Sequence, residues 1–189
     1  MKKLTISLIF CCFLSFLFFT SCNKREREEN LIKNEKLTRF SLKQFSQNYS
    51  FTLMGESAEV LQNENTSIMN PSFSLKTESE IIEIKTDKEG KGEIKIDQKN
   101  KKIKEVIITG KVLIIYRDIK SEKINMEVTC EKVSYIDQKR EMIFEGSPLI
   151  KRGKNKFSGE KIIYNIDNDT IEIKGNVNVE IIPEEKSNK

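Results

Sequence analysis

From about residue 37 to residue 182, apolar side chains fall on alternate positions in segment after segment. Ile124, Met126, Val128 and Cys130 alternate with Asn125, Glu127 and Thr129. Met142 and Phe144 keep the even phase, as do Ile162, Tyr164 and Ile166. The phase then turns odd at Ile171, Ile173, Val177, Val179 and Ile181, with Glu172, Lys174, Asn176, Asn178 and Glu180 opposite. A period of two sends successive side chains to opposite faces of a strand, one face apolar and the other wet. Ile, Val, Thr and Phe are frequent in these segments, as a pleated, half-buried surface favours. Polar turn sequences interrupt them at Asp87–Gly90, Asp97–Asn100, Asp137–Lys139, Lys151–Asn155 and Asp167–Asp169. No long 3.6-residue period appears, so an all-β domain is predicted over 37–182.

Composition narrows the chemistry. The 189 residues contain no His, which removes the commonest general base and transition-metal ligand and excludes Ser-His-Asp and Cys-His nucleophile systems. No catalytic residue, metal site or cofactor is predicted. Lys2 and Lys3 precede an uncharged apolar run, Leu4 to Phe19, which ends in Phe19-Thr20-Ser21-Cys22. Small residues directly before a Cys at the end of a short apolar region resemble a bacterial lipobox. In that reading residues 1–21 are a signal peptide and Cys22 is lipidated; the alternative is an uncleaved membrane anchor. Removal of Lys2 and Lys3 with the signal leaves 31 basic against 29 acidic side chains, a balance that argues against a nucleic-acid partner. Cys130 then remains as the one free thiol, predicted to pack as a small hydrophobe. Residues 22–36 read as the lipidated Cys and a charged tether, with a short amphipathic helix as the alternative. Residues 183–189 read as a disordered tail.

An internal repeat runs through the C-terminal half. EKVSYIDQKREMIFEG, residues 131–146, aligns without gaps on EKIIYNIDNDTIEIKG, residues 160–175, at an offset of 29. Glu131/Glu160, Lys132/Lys161, Val133/Ile162, Tyr135/Tyr164, Phe144/Ile173 and Gly146/Gly175 correspond. Each unit is a strand, a turn and a strand, then a Gly that begins the next strand. Such units stack around a continuous apolar interior.

The stretch from ITGKVLIIY through MEVTCEKVSYIDQKREMIFEGSPLIKRGKNKFSGEKIIYNIDNDTIEIKGNVNVEI resembles the periplasmic lipopolysaccharide-export proteins of the LptA/LptC/OstA group. Their recurring phrase is a Gly-x-Val strand, a strand ending in Tyr, and a polar turn. The N-terminal half, with its strand pair leading to Asn70-Pro71, resembles the opening of LptC, and the total length fits LptC too. A lipobox stands where LptC usually has a transmembrane helix, and Pro148 replaces one Val.

The resemblance implies an open, twisted antiparallel β-jellyroll whose apolar interior groove shelters the acyl chains of a glycolipid. It implies a non-enzymatic, periplasmic component; the lipobox, not the resemblance, makes its anchor a lipid at Cys22, with the inner membrane favoured over the outer. Such a component accepts lipopolysaccharide or an equivalent glycolipid from inner-membrane ABC exporter subunits of LptF/LptG type and passes it to an LptA-like bridge protein. An LptA-type bridge or shuttle, and a surface lipoprotein using a β scaffold for binding, are the alternatives.

Under this reading the groove is lined by Val112, Ile114, Met126, Val128, Phe144, Ile162, Tyr164, Ile171, Ile173, Val177 and Val179. The last strand-like stretch, Gly175 to Ile182, with Gly175, Val177, Val179 and Ile181, is read as an edge to which a homologous jellyroll adds a strand; the alternative is a strand that is internal or covered by the tail. The basic run Lys151, Arg152, Lys154 and Lys156 is read as a solvated hairpin tip or a contact for lipid phosphates. Asp167-Asn168-Asp169 lacks the spacing of a Ca²⁺ loop and is read as a turn.

Overall fold

A computed structural model of the chain describes residues 36–61, 65–97, 99–100 and 102–183. Cys22, the 1–21 segment, the tether up to residue 35 and the tail from residue 184 lie outside the described residues. The first strand begins at Lys36.

The alternating segments form fourteen strands: β1 (Lys36–Phe45), β2 (Ser50–Val60), β3 (Thr66–Met69), β4 (Ser72–Lys76), β5 (Glu80–Lys85), β6 (Lys91–Ile96), β7 (Ile103–Asp118), β8 (Ile124–Ile136), β9 (Glu141–Glu145), β10 (Leu149–Arg152), β11 (Asn155–Ser158), β12 (Lys161–Asn165), β13 (Thr170–Lys174) and β14 (Asn178–Glu180). A 3₁₀ turn at Asp137–Lys139 is the one helical element among the described residues. Every pairing is antiparallel, and the strands form one continuous sheet folded over on itself, an all-β jellyroll-like arrangement.

The pairing register resolves two layers. The first runs β1–β2–β3–β6–β7–β8–β9–β12–β13. The second runs β1–β2–β4–β5–β7–β8–β10–β11–β14. The four long strands, β1, β2, β7 and β8, belong to both. Each gives one half to each layer and bends between them. In β7 the bend is a bulge: Gly110 and Lys111 stand against Glu131 alone, and the register resumes at Val112↔Cys130. An extra residue in one strand increases local twist and redirects the chain. Gly110 has φ +126°, a conformation that side-chain-bearing residues rarely adopt.

The remaining crossings lie on the same side. Asn70-Pro71 joins β3 to β4, Gly146-Ser147 joins β9 to β10, Gly159 joins β11 to β12, and Gly175-Asn176 joins β13 to β14. Backbone hydrogen bonds link this line of crossings: Asn70 N–H to Gly90 C=O (2.9 Å), Glu131 N–H to Gly146 C=O (3.2 Å), and Glu160 N–H to Gly175 C=O (2.9 Å). The last two are the same bond in the two copies of the sequence repeat. The Gly at the end of each unit is therefore where the chain leaves the first layer for the second. Six of the eight glycines, Gly55, Gly90, Gly110, Gly146, Gly159 and Gly175, lie along this spine.

The opposite side holds the turns. Asp97 caps one by accepting the Lys99 N–H (2.8 Å), Asp118 another by accepting the Ser121 N–H (2.7 Å), and Asn165 a third by accepting the Asp167 and Asn168 N–H groups (3.1 and 3.2 Å). Asp and Asn side chains close turns in this way at little conformational cost. The molecule is thus hinged along one side by covalent crossings and faces solvent along the other with paired rows of turns, which form its mouth.

Candidate functional site

Residues directly opposite in neighbouring antiparallel strands share a face, so the register defines rows of inward side chains. In the first layer one row runs Leu37, Ala58, Ile68, Gly92, Ile108, Val133, Phe144, Ile162, Ile173. Beside it runs Val60, Thr66, Ile94, Val106, Tyr135, Met142, Tyr164, Ile171. In the second layer the row is Leu42, Leu53, Phe73, Ile84, Ile114, Val128, Ile150, Phe157, Val179. The layers meet through aromatic contacts. Tyr135 packs on Phe73 and Phe51 with centroids 5.3 and 6.1 Å apart, and Tyr116 meets Tyr164 edge-on at 5.2 Å.

Seven of the groove positions read from the sequence, Val112, Ile114, Met126, Val128, Phe144, Ile162 and Tyr164, are 0–3% exposed in this interior. Ile171 and Ile173 are half-buried at the end of the first layer. Val177 (56% exposed), Val179 (43%) and Ile181 (67%) are open to solvent at the end of the second. The apolar interior therefore grades from fully packed in the middle to exposed at the β13/β14 end. At the other end Leu37, the first member of its row, is 49% exposed on β1. Ile124, placed in the alternating series by sequence, is exposed at the start of β8.

The edge differs from the sequence reading in its extent. Only Asn178–Glu180 is strand, paired to β11. Gly175 (φ +65°) and Asn176 (φ +43°) are left-handed, so they turn the chain across the spine and cannot extend the strand, and Val177 and Ile181 flank it. The edge of the first layer is β13, which carries Ile171 and Ile173 and pairs only with β12 among the described residues. β1 is the edge strand of both layers at the other end and pairs only with β2 among the described residues.

Two polar clusters bridge the layers across the mouth, and sequence reasoning missed both. In the first, the Tyr49 and Tyr135 hydroxyls each donate to Asp137 Oδ1 at 2.8 Å, and Gln44 Nε2 donates to Oδ2 at 3.3 Å. Gln44 Oε1 accepts the Ile103 N–H at 3.2 Å. Arg140 Nη1 donates to the Tyr135 hydroxyl at 2.7 Å, and its guanidinium lies 4.0 Å from the centroid of the Tyr49 ring. Gln44 and Tyr49 belong to the second layer, and the other groups to the first. In the second cluster, Arg152 of the second layer is ion-paired to Asp169 of the first, and the Tyr164 hydroxyl donates to Asp169 Oδ1 at 3.0 Å. Burial alone would raise the Asp169 pKa, but the hydrogen bonds from Arg152 and Tyr164 hold it below the usual carboxylate value. Burial pushes the Tyr135 phenol well above its ordinary pKa; the Arg140 charge opposes the rise and the Asp137 carboxylate adds to it.

Tyr135 and Tyr164 are equivalent residues of the repeat. Each spans the interior from an inward position and brings its hydroxyl out at the mouth, on an Asp of the turn that follows. That recurrence, Tyr with Asp two or five residues on, was the available sequence signal. Arg152, read as a hairpin tip or a phosphate contact, is engaged with Asp169. Between the clusters lies a polar cleft of about 530 Å³ lined from both layers, by Ser46–Tyr49 and Thr77–Glu80 on one side and Arg140, Ile166 and Asp167 on the other.

Cys130 is buried, and burial pushes its thiol up to about 12.

A sequence profile of the family described as LptA/(LptD N-terminal domain) LPS transport protein matches residues 46–170. Among solved structures, the fold is similar to the crystal structure of LptH, described as the LptA homologous periplasmic component of the conserved lipopolysaccharide transport device from Pseudomonas aeruginosa. The TM-score is 0.55 and the identity 12%, over 70% of this chain and 95% of that one. No curated protein sequence matches the chain.

Proposed function

The chain belongs to the LptA and LptD N-terminal domain family of LPS transport proteins, and from that premise we propose that it carries the acyl chains of lipopolysaccharide, or of an equivalent glycolipid, along its apolar interior between membranes. The observation that supports this reading is the continuity of the inward rows. They run unbroken by charge through eight or nine strands each, and apolar side chains surface at both ends of the sheet. A fully buried aliphatic side chain gains about 1.5–3 kcal/mol over an exposed one, so leaving Val177, Val179 and Ile181 in water forfeits several kcal/mol that a lipid or a further jellyroll recovers.

In this proposal Cys22 anchors the protein to the periplasmic face of the inner membrane. One sheet end receives lipid from LptF/LptG-like exporter subunits. The β13/β14 end docks an LptA-like bridge by adding strands to the two unpaired edges. The family match and the likeness of fold to LptH favour a second reading, an LptA-type bridge without exporter contact; recovery of exporter subunits with the purified protein separates the two.

The groove is tested with photo-crosslinking residues. Ile173 and Phe144, on the inward row, should capture lipid, while Glu127 and Glu172, on the outward face, should not. Equal capture from both sets would refute a groove on this face. Val179→Pro, which removes a backbone donor from the edge strand, should weaken binding of an LptA-like partner far more than it weakens the fold; unchanged binding would refute docking there.

A further inference from the structure

In the middle of the inward rows the side chains shield one another from solvent: Ile114, Val128, Phe144 and Ile162 are each 0% exposed. Clefts of about 530, 570 and 270 Å³ open on the surface, and none is lined by a member of the three inward rows. An acyl chain that is to reach Phe144 or Ile114 therefore needs the layers to part. The spine cannot part, because the chain crosses it covalently and glycine-mediated backbone bonds tie the crossings together. The mouth can part, because apart from apolar packing the layers are joined there through side chains.

Among the described residues those side chains are the two clusters, with one buried bond behind them, from the Tyr116 hydroxyl of the second layer to Met142 Sδ of the first at 3.2 Å. Tyr49 and Gln44 hold the second layer to Asp137 and the Ile103 N–H of the first, and Arg152 holds the second layer to Asp169 of the first. Each cluster is anchored on its own layer by the repeat tyrosine, Tyr135 or Tyr164. The polar cleft between them is the part of the mouth that no direct bridge closes. We propose that the jellyroll admits acyl chains laterally, by opening at the mouth about the glycine spine, and that the Tyr49–Asp137 and Arg152–Asp169 bridges are two latches holding the empty interior shut. This rests on the lipid-carrier reading and adds to it a route and a gate.

The latches are polar and partly exposed, and hydrogen bonds of this kind make small net contributions because water replaces them on opening. A small bias suits a gate. When only a minor open state binds, the apparent affinity is reduced by the open fraction, so weakening the closed state raises affinity. Ordinary destabilisation lowers it.

The test is the double variant Tyr49→Phe/Arg152→Gln in the full chain. It removes one hydroxyl and one ion pair and keeps the aromatic ring at position 49. Uptake of cis-parinaric acid, a fluorescent fatty acid, is followed by stopped flow. Hydrogen exchange is measured in parallel, without lipid, at the Ile103 amide, which donates to Gln44, and at the Ile166 amide, which donates to the Arg140 carbonyl at 2.9 Å. Uptake about tenfold faster than wild type, the factor that about 1.4 kcal/mol represents, with faster exchange at both amides, supports the gate. Uptake by wild type that the variant does not accelerate overturns the gate and leaves the carrier reading standing. If neither protein takes up the probe, the carrier reading fails, and the exchange decides the latches alone: unchanged exchange at Ile103 and Ile166 overturns them, and faster exchange supports a mouth that opens without lipid.

Discussion

Replacing Gly146 with Ala should be far more costly than replacing Gly153, although both glycines are left-handed. Gly146 sits on the spine with φ +77°, and a Cβ there would lie 2.5 Å from the Cβ of Glu131. Gly153, at the tip of the β10–β11 hairpin, has φ +59° and nothing within 4 Å of such a Cβ. The left-handed conformation costs an L-residue about 1–2 kcal/mol at either place. Stiffening of the unfolded chain returns about 0.4–1 kcal/mol of that, so Gly153→Ala should cost about 0.5–1 kcal/mol. At Gly146 the overlap adds to this. The Glu131 Cβ is fixed to the backbone at the bend of β8, so the two strands must move apart. Overpacking of this sort costs about 1–3 kcal/mol, for a total of about 2–4 kcal/mol. Urea unfolding followed by far-ultraviolet circular dichroism measures both. With a slope of about 2 kcal/mol per molar urea, the Gly146→Ala midpoint should fall by about 1–2 M, and that of Gly153→Ala by less than half as much. Equal shifts would refute the reasoning, because they would mean that the close approach of β8 to the Gly146 crossing does not constrain the spine.

Phe144→Ala, between Val133 and Ile162 in the fully buried middle of its row, should destabilise by about 3–5 kcal/mol, whereas Val179→Ala at the exposed end of its row should change the urea midpoint little. Asp169 and Glu145 titrate below their usual values of 3.8 and 4.5; burial alone would raise Asp169, but Arg152 and Tyr164 hold it down, and a hydrogen bond from Lys132, with Lys161 assisting, lowers Glu145 against its burial. Their stabilisation is complete above the unfolded-state values and is lost as pH falls through the lower folded ones, so stability measured by thermal melts should decline below about pH 4.5, and less steeply in Asp169→Asn/Glu145→Gln. Cys130, buried and pushed up to about 12, should resist a maleimide at pH 8 in the folded protein and react promptly in urea.

What the sequence determined by itself was everything set within a few residues. Alternation at Met126, Val128 and Cys130 specifies a strand and its inward face because neighbouring side chains on a pleated backbone have no other choice. Asp97, Asp137 and Asp167–Asp169 mark turns because short polar side chains satisfy turn amides locally. The repeat was visible because each hairpin solves the same local problem. The strand end at Gly175 was not visible: Gly is compatible with an extended chain, and only the need to cross to the other layer sets its φ at +65°.

The two layers and the mouth are decided by tertiary structure alone. Nothing local in β8 says that Cys130 belongs to one layer and Val133 to the other; the bulge at Gly110–Lys111 in a different strand imposes that. Tyr49 meets Asp137 across 88 residues of chain, and Arg152 reaches Asp169 because the hairpins that carry them lie in opposite layers. An aspartate that caps a turn and an aspartate that also latches two sheets look alike in a sequence. The turn is written in the three or four residues around it, but the latch depends on a partner brought near only when the whole sheet has folded over.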